Sequence, residues 1–192
     1  MRYSKEHKQQ THEKIVRVAS TKFRENGFDG VSIGALMSEL ALTHGGFYRH
    51  FSNKEDLYKQ AFEFSIEEVQ TNIQEQGSTA DSLTLEGVIA AYLNIDHSNG
   101  VGDGCPVAAQ SAEIPRLSAD IKASFDDSLK GYMDAFMPLV EGKTREEKQK
   151  NLLVLFSGMA GALMISRAIS DQDLRMSLLE SARDFYTNHF AR

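Results

Sequence analysis

Cysteine is nearly absent from this 192-residue chain, with Cys105 standing alone. One cysteine excludes an internal disulfide framework and a multi-cysteine zinc module. No His-x-x-x-His pair is present to hold a metal on a helix, and no metal or cofactor is expected. Only three prolines occur and no low-complexity tract interrupts the chain, so a folded globular protein is expected. The longest apolar run covers residues 152–165 and is broken by Ser157, Gly158 and Gly161. That is shorter than the roughly 18 to 20 residues that cross a bilayer, so a buried helix is expected instead of a membrane span. Nothing in residues 1–10 resembles a secretory signal, so a cytoplasmic location is expected. A Gly142-Lys143-Thr144 step has Met137 where a phosphate loop requires its first glycine.

Net charge is −6, but its distribution is uneven. Residues 1–60 hold ten Lys/Arg against seven Asp/Glu; the remainder holds eleven against twenty. A basic N-terminal part beside an acidic C-terminal part fits a nucleic-acid contact confined to one end.

That end contains residues 31–54, VSIGALMSELALTHGGFYRHFSNK. Ser32 is placed to cap a short helix in which Ile33, Leu36, Met37 and Leu40 recur on one face. Ala41 and Leu42 make a turn, and Thr43 caps a second segment expected over residues 44–51. Two short helices joined by a tight turn form a helix-turn-helix DNA reader. Gly45 and Gly46 each cost about 1 kcal/mol of helix propensity relative to alanine, which suggests close approach to a partner. Phe47 and Phe51 should face inward, leaving His44, Tyr48, Arg49 and His50 for the partner and its phosphates. An ordinary helical hairpin with tightly packed glycines is the alternative.

Residues 15–61 resemble the N-terminal domain of the TetR family of bacterial transcriptional regulators. The resemblance rests on Phe23, Gly27 and Phe28, on Ser32 and Ile33, and on Gly45, Phe47, Tyr48, His50, Phe51, Lys54 and Leu57 at fixed spacings. Where that family has Ala-Gly-Val-Ser at the turn, this chain has Leu40, Ala41, Leu42 and Thr43, and alanine at a position of positive φ is mildly strained. The resemblance implies an all-α fold: a three-helix helix-turn-helix DNA-binding domain, residues 1–52, followed by a helical effector-binding and dimerisation domain, residues 53–192. It also implies that Lys54 sits on a DNA phosphate, that the partner is a palindromic operator, and that the chain is a homodimer and not an enzyme. DNA contacts are expected from Ser32, Thr43, His44, Gly45, Gly46, Tyr48, Arg49, His50 and Lys54.

The other segments are read from local patterns. Residues 1–10 are expected to be a polar tail, or a basic arm carrying Arg2, Lys5 and Lys8. A first helix is expected over residues 11–26, stopped by Gly27, and a fourth from the Asn53 cap, with Asp56 closing a box, to about residue 76. A turn cluster follows at residues 77–82, then a helix over residues 85–95 with Leu85, Ile89, Tyr92 and Leu93 on its stripe. Residues 96–103 read as the loosest part of the chain. Pro106 starts the next helix, over residues 107–114, with Cys105 as its cap.

A thiol at a helix start has its pKa lowered by the dipole, which fits a redox or electrophile sensor. A small buried packing group is the competing reading. An enzyme with Cys105 as nucleophile and His97 as base, or a metal site at Asp96, His97 and Asp103, lacks an orienting third group. A helix over residues 118–137 carries Ile121, Phe125, Leu129, Tyr132, Met133 and Phe136. Such a stripe builds core or the walls of an apolar ligand pocket. The expected effector pocket or sensor comprises Cys105, Tyr92, Gln110, Glu113, Phe125, Tyr132 and Met159, with a small molecule of unspecified identity. Thr144 and Glu147 box the start of a helix over residues 144–170, in which Gly158, Ala160, Gly161 and Ala162 permit close approach. A last helix over residues 172–190 has Leu174, Leu178, Ala182 and Phe185 on one stripe. Two such helices expose more apolar surface than one chain can cover, so a homodimer is expected.

Overall fold

The computed structural model describes residues 5–77 and 83–191, without the side chains of residues 72–77. Among the described residues all regular structure is helical, in ten α-helices and two 3-10 turns. Helix α1, Lys5–Gly30, buries Ile15, Val16, Ala19 and Phe23 and is interrupted at Gly27, whose φ of 70° only glycine adopts freely. Residues 5–10 are therefore helical, where the sequence suggested a tail. They are exposed polar residues that extend a well-anchored helix, so no apolar period marks them. Arg2 and the rest of residues 1–4 lie outside the described residues.

Helix α2, Ile33–Glu39, starts where Ser32 Oγ accepts the Ala35 N–H at 3.5 Å. Ala41 follows with a φ of 56°, so alanine occupies the strained turn position that the sequence indicated. Helix α3, His44–Phe47, starts where Thr43 Oγ1 accepts the Gly46 N–H at 3.2 Å. It is one turn long, shorter than expected, and a tight turn carries the chain through His50. Two glycines in four residues leave little intrinsic preference to extend it.

Helix α4, Lys54–Gly77, opens on a reciprocal cap: Asn53 Oδ1 accepts the Asp56 N–H, and Asp56 Oδ2 accepts the Ser52 N–H, both at 2.8 Å. Burial pushes the Asp56 carboxyl up, but the Ser52 N–H and the Gln60 and Ser52 side-chain donors outweigh it and hold it below the usual carboxylate range. Gly77 closes α4; the rest of the expected turn cluster, residues 78–82, lies outside the described residues.

Helix α5, Leu85–Tyr92, is shorter than expected because Asn94 caps a separate helix, α6, Ile95–Asn99, by accepting the His97 N–H. Residues 96–103 are thus not loose. The Ser98 hydroxyl bonds Ser166 Oγ at 2.7 Å and takes Arg175 Nε and Nη2 at 3.0 and 2.6 Å. Glycines there let the chain pack closely: a Cβ at Gly104 would lie 2.7 Å from the Gly100 carbonyl oxygen.

Helix α7, Pro106–Gln110, is followed by a 3-10 turn at Ile114–Arg116. Helix α8, Ala119–Phe136, runs into a second 3-10 turn, Met137–Leu139. Helix α9, Arg145–Ala168, is boxed at its start by Thr144 Oγ1 accepting the Glu147 N–H at 3.1 Å. By length and composition α9 would cross a bilayer, but Leu152, Leu155, Phe156, Met159 and Leu163 on it are core residues. Helix α10, Gln172–Phe190, packs on α9. Leu179 is its buried residue; of the expected stripe Ala182 packs against the core beside it, whereas Leu174 and Phe185 are exposed.

Two clusters of buried side chains result. The first gathers Ile15, Ala19, Phe23, Leu36, Met37, Phe47 and Phe51 with Leu57, Tyr58 and Ala61 of α4, and reaches Ile114 and Ile121. The second gathers Phe62 and Ile66 of α4 with residues of α5 and α7 to α10. Helix α4 serves both, and Phe125 packs against each.

Candidate nucleic-acid interface

Phe47 and Phe51, 1% and 2% exposed, hold the second reading element to the core with ring centroids 5.3 Å apart. Anchoring those two rings turns the intervening residues outward. Tyr48 is 63% exposed, and Arg49 and His44 are exposed beside it. The two glycines have different reasons. A Cβ at Gly46 would meet Thr43 Oγ1 at 3.3 Å, so its smallness serves the cap, whereas Gly45 has nothing within 4 Å and its side is open for a partner.

Ser32 and Thr43 are both occupied as caps, with their hydroxyls turned to backbone N–H groups. Lys54 is partly buried, with its Nζ 4.5 Å from the Phe28 ring centroid. His50 is only partly exposed, and its Nδ1 is buried without a hydrogen-bond partner. Burial first, then the charges of His12, Lys8 and Arg49, hold its pKa below the ordinary histidine value. His12 stacks on Phe51 at 4.7 Å and bonds Gln60 Oε1 at 2.9 Å.

The first turns of α1 complete this face. Lys5, His7, Lys8 and Thr11 line a groove of about 580 Å³ with Thr43, Gly46, Arg49 and His50. The three-residue spacing of Lys5 and Lys8 was the signal available in the sequence, since it places both on one helix face. The groove is cationic and open, and what such an arrangement can do is hold phosphate oxygens while Tyr48 and Arg49 reach further.

The expected effector residues do not all meet. Tyr92, Tyr132 and Met159 line a small apolar void with Leu85, Val88, Phe136, Leu152, Leu155 and Phe156, with a volume of about 10 Å³. That holds at most one water. Phe125 instead packs on Phe62, centroids 5.6 Å apart, at the junction of the two cores. Gln110 is fully buried with Oε1 unpartnered, and Glu113 turns away from the void to accept from Phe28 and Tyr58.

Cys105 is 4% exposed and lies against the hydroxyls of Tyr92 and Tyr132. Burial raises its thiol pKa above the ordinary value, overcoming the Tyr92 hydroxyl, the Ala108 and Val107 N–H groups and Arg167. The expected lowering at a helix start is thereby reversed, because desolvation outweighs one short helix's dipole. An enzyme built on His97 as base fails on geometry as well. His97 Nε2 accepts the Cys105 backbone N–H at 3.0 Å, and its Nδ1 bonds the Tyr92 carbonyl at 2.8 Å, so neither nitrogen serves the thiol. Among the described residues no trio of His, Cys, Asp or Glu is grouped to hold a metal.

Burial lowers the His97 pKa, with Arg167 adding to the effect and the bond to the Tyr92 carbonyl opposing it. A neutral His97 therefore contributes stability above its unfolded value of about 6.5, and this is lost as pH falls through the lower folded value. Thermal melts are expected to show a falling Tm from pH 7.5 to 5, with a shallower fall in His97→Gln; identical slopes would remove His97 from the account.

Residues 15–61, which hold the two reading elements α2 and α3, match the family model described as bacterial regulatory proteins, tetR family. Residues 15–61 thus carry the N-terminal domain of TetR-family regulators. Among similar proteins, the uncharacterized HTH-type transcriptional regulator YfiR of Bacillus subtilis is 25% identical over 91 residues, 47% of this chain and 43% of that one. The HTH-type transcriptional repressor NemR of Escherichia coli K12 is 23% identical over 126 residues, 64% of this chain and 63% of that one. The matched stretch thus spans about half the length of these curated relatives. Over the whole chain the fold is that of solved family members. The reduced form of Escherichia coli NemR superposes with a TM-score of 0.77 at 19% identity, covering 95% of this chain and 97% of that one. A TetR-family regulator from Cytophaga hutchinsonii gives 0.76 at 18% identity, with both chains covered completely.

Proposed function

We propose that this chain is a DNA-binding transcriptional regulator, acting as a homodimeric repressor that releases a palindromic operator when an effector binds its C-terminal part. The observation that carries the reading is the distribution of exposed apolar side chains. Among the described residues seven large hydrophobic side chains are exposed: six lie on α9 and α10, and the seventh is Tyr48. Tyr48 stands beside Arg49 and the cationic groove, as a DNA reader needs. Leu153, Val154 and Ile165 on α9, and Leu174, Met176 and Phe185 on α10, offer a face for a second copy. A Cβ at Gly161 would meet nothing of its own chain within 4 Å, which leaves room for that copy to approach α9.

In this reading residues 1–52 read DNA and residues 53–192 hold the effector and the partner. The small void at Tyr92, Tyr132 and Met159 is where an apolar effector enters, by shifting the chain toward a conformation in which the void is larger. The name of NemR, a repressor, supports repression as the direction of control. Regulators of this family are not enzymes.

The test is selection of duplex fragments by the purified chain, followed by titration at several salt concentrations. A palindrome should be recovered, with log affinity falling linearly in log salt. Arg49→Ala should weaken binding about tenfold and reduce the slope by roughly one. Recovery of no sequence above non-specific DNA would end the reading.

A further inference from the structure

Two hydrogen-bonded ties reach from the reader to the two ends of α7. Before it, Arg24 of α1, 5% exposed, donates from Nη1 to the Gly104 carbonyl oxygen at 3.2 Å. After it, Glu113 accepts the Phe28 N–H on Oε2 at 2.8 Å and the Tyr58 hydroxyl on Oε1 at 2.7 Å. The second tie is closely fitted. Gly27 breaks α1 at a φ of 70°, which presents the Phe28 N–H to an acceptor outside the helix. A Cβ at Gly27 would stand 3.0 Å from Glu113 Oε2, so the carboxylate occupies the space that only glycine leaves.

Helix α7 itself is buried at Pro106, Val107, Ala108 and Gln110, and a packed element of that size shifts as a unit. Its cap, Cys105, touches Tyr92 and Tyr132, two walls of the void. On the reader side, Phe28 carries Lys54 on its ring, and Tyr58 lies one turn further along α4. A displacement of the void's walls therefore reaches Phe28 and the start of α4 through one short rigid link.

We propose that Glu113 is the positioning residue through which the state of the void reaches the reader, with α7 as the lever between them. This rests on the proposed DNA-reading role of residues 31–54. The link needs no ligand to be tested, because widening the void by substitution stands in for occupying it.

The experiment is amide exchange followed by NMR on the full chain, without DNA, with Phe28 read relative to Leu36 of α2. Glu113→Ala should speed Phe28 exchange by about tenfold or more, as loss of a charge-assisted bond implies. Glu113→Gln, which keeps an acceptor oxygen and can donate to the Tyr58 oxygen, should restore it to within about threefold. Tyr132→Ala should speed Phe28 exchange by about threefold in the otherwise unchanged chain and leave it within about 1.5-fold in the Glu113→Ala background, as coupled sites require. A merely structural glutamate would give equal factors in both backgrounds, and that result overturns the proposal, as does an unchanged Phe28 in Glu113→Ala. If Glu113→Ala does not fold, Tyr58→Phe removes one donor alone, and the same cycle with Tyr132→Ala decides the matter. Binding to the selected duplex is measured separately, with Glu113→Ala expected to weaken it about fivefold and Glu113→Gln about twofold or less. Failure of the unsubstituted chain to bind any duplex would sink the DNA reading, whereas the exchange cycle judges the Glu113 link on its own.

Discussion

A chain carrying both Ile165→Glu and Phe185→Glu is expected to sediment as a monomer and to bind duplex DNA about 10² to 10⁴ times more weakly than the unsubstituted protein, because a second reader no longer adds its contacts at high effective concentration. Ile165 is 57% and Phe185 54% exposed in the single chain, so glutamate at either position meets water and should leave the fold intact. In a dimer formed across α9 and α10 the same positions would be desolvated. Burying a large apolar side chain contributes about 1.5 to 3 kcal/mol, whereas an unpaired carboxylate there costs several. The symmetric contact doubles each change, since a twofold interface uses the same patch twice. Unchanged melting with lost association would separate interface from fold. A dimer that survives both substitutions would place the contact on another face, and a monomer that binds DNA as tightly as before would remove dimerisation from the mechanism.

How much of this was legible in the sequence depends on how local the cause is. Ser32, Thr43, Asn53 and Thr144 were readable as caps because a hydroxyl or amide two or three residues ahead of its target needs no tertiary partner. The outward turn of Tyr48 and Arg49 followed from Phe47 and Phe51 at a spacing of four. The packed state of residues 96–103 was not legible, because it depends on Arg167 and Arg175, about seventy residues away, whose guanidinium groups bond Ser98 and the His97 carbonyl. Glu113 and Gln110 read as pocket residues for want of any local sign of which way α7 faces. Helix α10 is apolar on two faces, and periodicity reveals both without saying which one the chain covers itself; Leu179 took the core and Leu174 and Phe185 the surface.

Phe23→Ala is expected to destabilise the reader by about 3 to 5 kcal/mol. Phe23 is fully buried, stacks on Phe28 at 6.3 Å and meets Tyr58 edge-on at 4.9 Å, so truncation opens a cavity where α1 and α4 cross. The neighbours cannot collapse into it freely, because Phe28 is held by its N–H and Tyr58 by its hydroxyl to the same Glu113. A loss of that size shifts the opening equilibrium of the reader by a factor of roughly 10² to 4 × 10³, since about 1.4 kcal/mol is tenfold. Amide exchange in α2 and the first half of α4 should rise by that factor, while amides of α9 and α10 stay within about tenfold, as expected for units of unequal local stability. Helix α4 makes this a demanding test, because Leu57, Tyr58 and Ala61 serve the first core and Phe62 and Ile66 the second along one continuous rod. If exchange rises equally in α9 and α10, the rod transmits the loss and the two cores melt as one cooperative unit. The proposed division at residue 52 would then describe two functions on a single folding domain, and regulation would have to work by shifting the whole helical array instead of loosening the reader alone.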